Sequence, residues 1–210
     1  MINILIADDH TIVRKGLKQI LAETQDMVVA GEASNGFEVM EKVKNNHYDV
    51  LLLDISMPGK SGLDILRELK TESPKLPVLV LSMYPEEQYA VRVLRAGASG
   101  YLTKESAPDE LVVALRKVAQ GKKYVSPSLA EKLAVDLEVD ASKPVHEMLS
   151  DREYQVLCMI ASGKTVGEIA EKLSLSAKTI STYRARILEK MNMKNNAELT
   201  HYAIQSKLVD

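Results

Sequence analysis

Acidic side chains follow two of the short apolar runs in the first half of the chain. Asp8 and Asp9 follow INILIA, and Asp54 follows VLLL. In an open parallel sheet, ligands bind beyond the carboxyl ends of the strands, where side chains from neighbouring strands meet. Three carboxylates brought together in this way repel one another unless a cation lies among them. Because hard oxygen ligands suit Mg²⁺, the sequence predicts a magnesium site built from these acids.

Two further polar residues end later apolar runs. Ser82 closes PVLVLS, and Lys104 follows GYLT. A carboxylate beside a divalent cation and an ammonium group can attack phosphorus, because the cations screen the incoming phosphoryl group and the carboxylate can form an acyl phosphate. Asp54 is the predicted nucleophile. Singly, Asp8 could cap a helix, Asp54 could form a turn and Lys104 could be a solvated charge, but together in this order they favour the phosphoryl site.

The elements that would position these residues can be read from hydrophobic periodicity. From residue 1 to about 121, apolar runs alternate with segments whose apolar residues recur every three or four positions, such as IVRKGLKQILAE. Such alternation predicts a doubly wound α/β domain with a five-stranded parallel sheet. The predicted strands are residues 2–7, 28–33, 50–54, 77–82 and 100–102.

The rest of the chain has a different pattern. Residues 122–146 contain one short amphipathic segment at most and are predicted to be a partly helical linker. Residues 147–210 have only helical periodicity, so a small all-α domain is expected. SDRE at 150–153 and TVGE at 165–168 fit capping boxes, and Ser176 is a predicted cap of a third helix. A short helix, a turn and a longer helix between 165 and 193 match the helix-turn-helix plan.

The longer of these helices has a small, polar face that would fit the major groove of DNA. Arg184 falls at the edge of the apolar face, where a snorkelling side chain or an ion pair is expected, so it ranks below Arg186. The alternative is a helical bundle with a solvated face. The predicted DNA contacts are Lys178, Thr179, Ser181, Thr182, Ala185, Arg186, Arg184 and Lys190.

Length and composition limit the class of protein. A chain of 210 residues with a net charge of −2 suits two small domains. It has neither an apolar run of the ~18 residues that a membrane span needs nor a secretory signal pattern. The single cysteine, Cys158, is expected in the core, and together these features predict a cytoplasmic protein with no membrane partner.

The motifs DDH, LLLDISMPGKSG and GASGYLTK, with a strand-ending serine, resemble the receiver domain of bacterial response regulators over residues 1–121. The resemblance implies a flavodoxin-like receiver in which Asp54 accepts a phosphoryl group from a sensor histidine kinase. It also implies Mg²⁺ bound by Asp9, Asp54 and the backbone carbonyl of Ser56, with Asp8 acting mainly through water. Ser82 and Tyr101 would be a switch pair and Lys104 would contact the phosphoryl group.

One position departs from that family. Many receivers have a proline in a cis peptide after the lysine, whereas Glu105 follows Lys104 here. A cis bond before a residue other than proline costs about 3 kcal/mol. The sequence therefore leaves open how this loop is held.

LSDREYQVL, ASGKTVGEIAEKLSLSAKTISTYRARILEKM and NAELTHYAIQ resemble the four-helix output domain of the NarL/FixJ (LuxR-type) regulators, especially the branch that contains GacA and UvrY. The resemblance spans residues 147–210 and implies that the third helix reads double-stranded DNA and the fourth supports a homodimer in the active state. The whole chain would be a phosphorylation-controlled transcription regulator and not an enzyme.

Two alternatives remain open from the residues. One is a Mg²⁺-dependent phosphohydrolase, which would need an acid to protonate the leaving group; Ser56 stands two residues after Asp54, where such an acid would be expected. The other is a DNA-binding protein whose receiver is never phosphorylated. For the regulator, phosphorylation is expected to draw Ser82 and Lys104 inward and to let Tyr101 swing.

Overall fold

The computed structural model describes residues 1–57, 62–127, 129–131 and 144–209. The chain divides into two compact units, Met1–Ala134 and Val135–Asp210. Most of the turn MPGKSG and most of the predicted linker at 122–146 lie outside the described residues.

The first unit is a parallel sheet flanked by helices. Its strands are β1 (Ile2–Ala7), β2 (Met27–Ala33), β3 (Val50–Asp54), β4 (Val78–Ser82) and β5 (Gly100–Thr103). Its helices are α1 (Thr11–Ala22), α2 (Gly36–Asn45), α3 (Gly62–Glu72), α4 (Glu86–Arg95) and α5 (Ala107–Ala119). All neighbouring strands pair in parallel, in the order β2-β1-β3-β4-β5, which confirms the predicted doubly wound α/β fold.

The strand β3 lies at the centre of the sheet and is buried along its whole length. Leu52 packs with the apolar residues of α1 and α5 on one face of the sheet. Its neighbours Leu51 and Leu53, which point to the other face, are fully buried as well. A strand covered on both faces must be apolar throughout, so the run VLLL can end in a charge only where the covering helices end.

The chain that follows α5 adds to the edge of the sheet. Tyr124 forms a parallel bridge with Gly100, its amide donates to the carbonyl of Ser99 at 2.8 Å, and its hydroxyl donates to Glu110 at 2.5 Å. A Cβ atom on Gly100 would lie 2.9 Å from Tyr124. The start of the predicted linker therefore packs against the first unit.

The second unit contains a short 3₁₀ helix (Val145–Met148) and four α-helices. These are α6 (Asp151–Ala161), α7 (Val166–Lys172), α8 (Ala177–Lys190) and α9 (Asn196–Gln205). Both predicted capping boxes are present, at Ser150 and Thr165, and Ser176 caps α8 by accepting from the amide of Thr179. Within the described ranges, no helix is long and apolar enough to span a bilayer.

The capping box of α7 gives a test of how this helix is held. Thr165 Oγ1 accepts from the Glu168 amide at 3.3 Å, and the Glu168 carboxylate accepts from the Thr165 amide at 2.7 Å. We expect Thr165→Ala to destabilise α7 by about 1 kcal/mol, measured as faster hydrogen exchange of its amides in the full chain. Thr165→Ser, which keeps the accepting oxygen, is the control and should exchange like the wild type.

Candidate functional site

The acidic residues at the ends of β1 and β3 meet because these two strands are neighbours in the sheet. Ligand atoms of Asp8, Asp9, His10 and Asp54 all lie within 4.8 Å of one another. Asp8 and Asp54 are almost completely buried, whereas Asp9 retains 28% exposure of its side chain. The structure therefore gathers the three predicted carboxylates into one pocket and adds His10, which sequence reasoning missed although it completes the motif DDH.

Lys104 binds both buried carboxylates. Its Nζ lies 2.6 Å from Asp8 Oδ2 and 2.8 Å from Asp54 Oδ2, and only 10% of its side chain is exposed. Burial opposes the charge of this ammonium group, but the attraction of Asp54 and Asp8 raises its pKa above the ordinary value. Burial also raises the pKa of Asp54, and the positive charge of Lys104 offsets part of that rise.

The second oxygen of Asp54 is held by the backbone. The amide of Ser56 donates to Asp54 Oδ1 at 2.9 Å, so each oxygen of this carboxylate has one donor. Asp9 differs, because its buried Oδ1 accepts no hydrogen bond although it lies 3.0 Å from His10 Nδ1. An uncompensated oxygen beside two further carboxylates fits the ligand preference of a hard divalent cation.

The predicted switch residues are both buried. Ser82 Oγ accepts from the amide of Tyr84 at 3.0 Å, and the hydroxyl of Tyr101 donates to the carbonyl of Tyr84 at 2.7 Å. Burial raises the pKa of Tyr101 well above its ordinary value, although a hydrogen bond with Ser82 partly offsets the effect. In this structure Tyr101 therefore points inward, and its hydroxyl closes a loop of hydrogen bonds over the end of β4.

The loop that carries Lys104 uses a trans peptide before Glu105, since the described residues contain no cis peptide bond. The Lys104 amide donates to the Ser82 carbonyl at 2.7 Å. On either side of Lys104, the Ser106 amide donates to Thr103 Oγ1 and the two hydroxyls are hydrogen-bonded, both at 3.1 Å. These contacts hold the turn without the proline that many receivers have.

The second unit presents one face of α8 to solvent. Ile180 and Ile187 are fully buried on the opposite face. Ser181 and Thr182 also donate their hydroxyls to backbone carbonyls one turn earlier, at 3.0 Å each. Thr179 is half-buried. Six predicted contacts are exposed: Lys178, Ser181, Thr182, Ala185, Arg186 and Lys190.

Two family models match the chain. Residues 4–116 match the response regulator receiver domain, and residues 147–203 match the bacterial regulatory proteins of the luxR family. The chain belongs to the response regulators with a LuxR-type DNA-binding domain. The family resemblance recognised from the motifs is thereby confirmed.

This response regulator is similar along its whole length to known members. It is 39% identical to the response regulator UvrY of Escherichia coli K12 over 99% of this chain and 96% of UvrY. It is 37% identical to the response regulator GacA of Pseudomonas viridiflava over 100% and 99% of the two chains. The structure of RcsB from Salmonella enterica serovar Typhimurium, bound to the promoter rprA in the presence of the phosphomimetic BeF₃⁻, matches with a TM-score of 0.64 and 30% identity over 96% and 98% of the chains.

Two predicted DNA contacts of the response regulator have internal partners. Arg184 Nε donates to Asn196 at the start of α9 at 2.5 Å, in agreement with its predicted place at the core edge. Lys190 Nζ pairs with Glu153 of α6 at 2.6 Å. Burial would raise the pKa of Glu153, but hydrogen bonds from Lys190 and Ser150 lower it below its ordinary value. Both basic residues thus connect α8 to the rest of the unit.

The raised pKa of Asp54 predicts that its charge destabilises the folded receiver at neutral pH. We expect Asp54→Asn to raise the thermal midpoint by about 2 to 6 °C. The difference in thermal midpoint between the variant and the wild type should shrink as the pH falls through the raised pKa of folded Asp54 toward its ordinary value of 3.8. Over this range the wild-type carboxyl is protonated in the folded state before it is protonated in the unfolded state, so its buried charge no longer destabilises the fold. Calorimetry at several pH values measures both effects.

Asp26→Asn is the control for this stability prediction. The side-chain hydrogen bond from Arg116 lowers the pKa of Asp26, so its charge favours folding and its removal should not stabilise the protein. An Asp54→Asn variant that melts at or below the wild-type temperature would contradict the expectation.

Proposed function

We propose that Asp54 accepts a phosphoryl group from a sensor histidine kinase and that this modification controls sequence-specific DNA binding. The observation that carries the proposal is the pairing of a fully buried Asp54 with Lys104 in a pocket that also contains Asp8 and Asp9. In a merely structural role, three acids around one lysine would leave uncompensated negative charge. A divalent cation bound at the site would compensate this negative charge and allow an anionic phosphoryl group to approach.

Asp9, Asp54 and the backbone carbonyl of Ser56 would hold Mg²⁺, with Asp8 acting mainly through water. Bound there, the ion would screen the negative charges of Asp54 and the incoming phosphoryl group. The buried Oδ1 of Asp9, which accepts no hydrogen bond, supports this assignment.

The transfer is a substitution at phosphorus. An oxygen of the Asp54 carboxylate forms a bond to phosphorus, and the bond from phosphorus to the imidazole nitrogen of the kinase histidine breaks. Its electron pair returns to that nitrogen, and the product is an acyl phosphate on Asp54. Lys104 already lies 2.8 Å from Asp54, where its ammonium charge can stabilise the oxygens of the phosphoryl group.

In the second unit, the exposed face of α8 would enter the major groove. Lys178 and Arg186 would bind phosphates or guanine, Thr179 and Ser181 would bind phosphate, and Thr182 and Ala185 would contact thymine methyl groups. The promoter complex of RcsB supports this role by similarity. Arg184 and Lys190 would first have to leave Asn196 and Glu153, so we assign them a supporting role.

The phosphoryl group adds negative charge beside Ser82, Tyr101 and Lys104. We propose that the resulting shift in these side chains alters the surface formed by β4, β5 and their helices, and that the active protein is a cytoplasmic homodimer. The chain would act as a regulator and not as a hydrolase, because Ser56 stands where a hydrolase would need an acid. Unchanged light scattering and DNA affinity after phosphorylation would contradict this coupling.

Phosphoryl acceptance is tested by labelling the full chain with a kinase donor or a small acyl phosphate in the presence of Mg²⁺. We expect stable incorporation in the wild type and in Asp26→Asn, whose acid lies far from the pocket at the start of the sheet. Label should be absent from Asp54→Ala although Asp8 also contacts Lys104 at 2.6 Å, because the proposed acceptor is the carboxylate that ends β3. Rapid hydrolysis of many phosphoesters by the wild type would instead support the phosphohydrolase.

DNA binding is tested by truncating the exposed basic residues of α8. Lys178→Ala and Arg186→Ala should each weaken binding and reduce the slope of log affinity against log salt by about 1, because each releases about one counterion. Selection of genomic fragments by the phosphorylated protein supplies the DNA. The control is Lys15→Ala, an exposed lysine on α1 of the other unit, which should leave affinity and slope unchanged.

A further inference from the structure

Arg14 is a largely buried cation beside the acidic pocket. It has no role in the phosphoryl transfer proposed above. It lies in the first turns of α1, and only 14% of its side chain is exposed. Its guanidinium group reaches back toward the end of β1. Nη1 donates to the backbone carbonyl of Asp8 at 2.6 Å, and Nε donates to Glu32 Oε2 at 3.2 Å. Arg14 therefore connects the loop after β1 to the end of β2.

Glu32 is itself fixed by two cations. Lys18, one turn after Arg14 on α1, donates to Glu32 Oε1 at 2.5 Å. The hydrogen bond from Lys18 is the main influence that lowers the pKa of Glu32, and Arg14 contributes in the same direction although burial opposes it. Glu32 thus stays ionised and directs the plane of the guanidinium group toward Asp8.

The carbonyl that Arg14 holds belongs to the peptide between Asp8 and Asp9. The amide on the other side of Asp8 donates to the Ala33 carbonyl at 3.1 Å, so the backbone is fixed both before and after the Asp8 side chain. Asp9 has little other support, because its buried Oδ1 accepts no hydrogen bond and its one ionic contact, at 3.0 Å, is with His10, whose side chain is 63% exposed. The orientation of the Asp8–Asp9 peptide therefore sets the direction from which the Asp9 side chain enters the site.

We propose that Arg14 and Glu32 form a positioning pair that orients the Asp8–Asp9 peptide so that both carboxylates can bind a divalent cation. The inference rests on the proposed function, since it concerns the same cation. Arginine is suited to the task because its planar fork holds its donors in fixed directions, whereas the three donors of a lysine ammonium group rotate at the end of a flexible stem. Groups that orient metal ligands commonly contribute 10- to 100-fold to metal affinity.

The sign of the effect separates positioning from simple electrostatics. A positive charge near a cation site repels the cation, so removal of Arg14 as a mere charge would tighten binding. Removal of a positioning group weakens it. Arg14→Lys refines the test, because it keeps the charge and loses the fork.

The experiment measures the affinity of the full-length protein for Mn²⁺ by electron paramagnetic resonance, without a phosphoryl donor. Mn²⁺ is a suitable probe because carboxylate, carbonyl and water ligands suit it as they suit Mg²⁺. We expect the dissociation constant to rise about 10- to 100-fold in Arg14→Gln and in Arg14→Lys. Asp9→Asn, which removes a proposed ligand, should weaken binding at least as much.

The matched control is the surface pair formed by Arg116 and Asp26. Arg116 binds Asp26 through Nε and Nη2 at 2.8 and 2.9 Å, but 48% of its side chain is exposed. Arg116→Gln and Arg116→Lys should leave the Mn²⁺ affinity unchanged. Equal or tighter Mn²⁺ binding in folded Arg14 variants, relative to the wild type, would overturn the proposal.

Glu32→Asp keeps the proposal testable if the Arg14 variants do not fold. It keeps the negative charge but shortens the side chain that accepts from Arg14 Nε, so weaker Mn²⁺ binding supports the positioning pair and unchanged binding refutes it. A wild type that binds no Mn²⁺ and takes no label on Asp54 would instead refute the proposed function. A wild type that binds and is labelled, together with unaffected Arg14 and Glu32 variants, would refute this inference alone.

Discussion

The contact of one ammonium group with two buried carboxylates is the constraint on which the receiver depends. Asp8 and Asp54 are buried at the ends of adjacent strands, where their mutual repulsion is strongest, and Lys104 binds both. Lys104 directly follows β5, and β4 lies between β5 and β3 in the sheet. Its side chain must therefore cross the end of β4, and the hydrogen bond from its amide to the Ser82 carbonyl fixes the point from which it does so. The strand order and the charge arrangement thus require each other.

The loop around Lys104 shows that one positional requirement can be met in more than one way. A proline in a cis peptide restricts the backbone covalently, whereas this chain has a trans peptide between Lys104 and Glu105. The flanking residues Thr103 and Ser106 hold the turn, because their side chains hydrogen-bond to each other and to the backbone. A cis bond before Glu105 would cost about 3 kcal/mol. A few hydrogen bonds of about 1 kcal/mol each are enough to hold a turn that does not carry this cost.

The parts of the site that could be predicted from the sequence are those with a local signal. A charge after an apolar run marks the end of a buried strand, so Asp8, Asp9, Asp54 and Lys104 could be found without a structure. The helix caps Ser150 and Thr165 were visible because their partners lie three residues away. The periodicity of α8 also placed Arg184 correctly at the core edge.

The parts that could not be predicted depend on distant partners. Lys190 resembled a DNA contact because its ion-pair partner, Glu153, lies 37 residues earlier on another helix. Tyr124 was assigned to a linker because nothing in its own segment indicates that it pairs with Gly100. Nothing in its own segment distinguishes Arg14, since its contacts with the Asp8 carbonyl and Glu32 exist only after β1 and β2 have paired.

The positions of these side chains also limit how the proposed phosphorylation can be transmitted. Lys104 already lies against Asp54, so little of the response can come from its approach. The hydrogen bonds among Ser82, Tyr84 and Tyr101 are different, because Ser82 Oγ accepts from the Tyr84 amide and the Tyr84 carbonyl accepts from Tyr101. If Ser82 turns its hydroxyl toward a phosphoryl group on Asp54, the Tyr84 amide loses its acceptor and the backbone that holds Tyr101 is released. In the proposed mechanism the bistable element would therefore be the segment between β4 and α4, and Tyr101 would report its state.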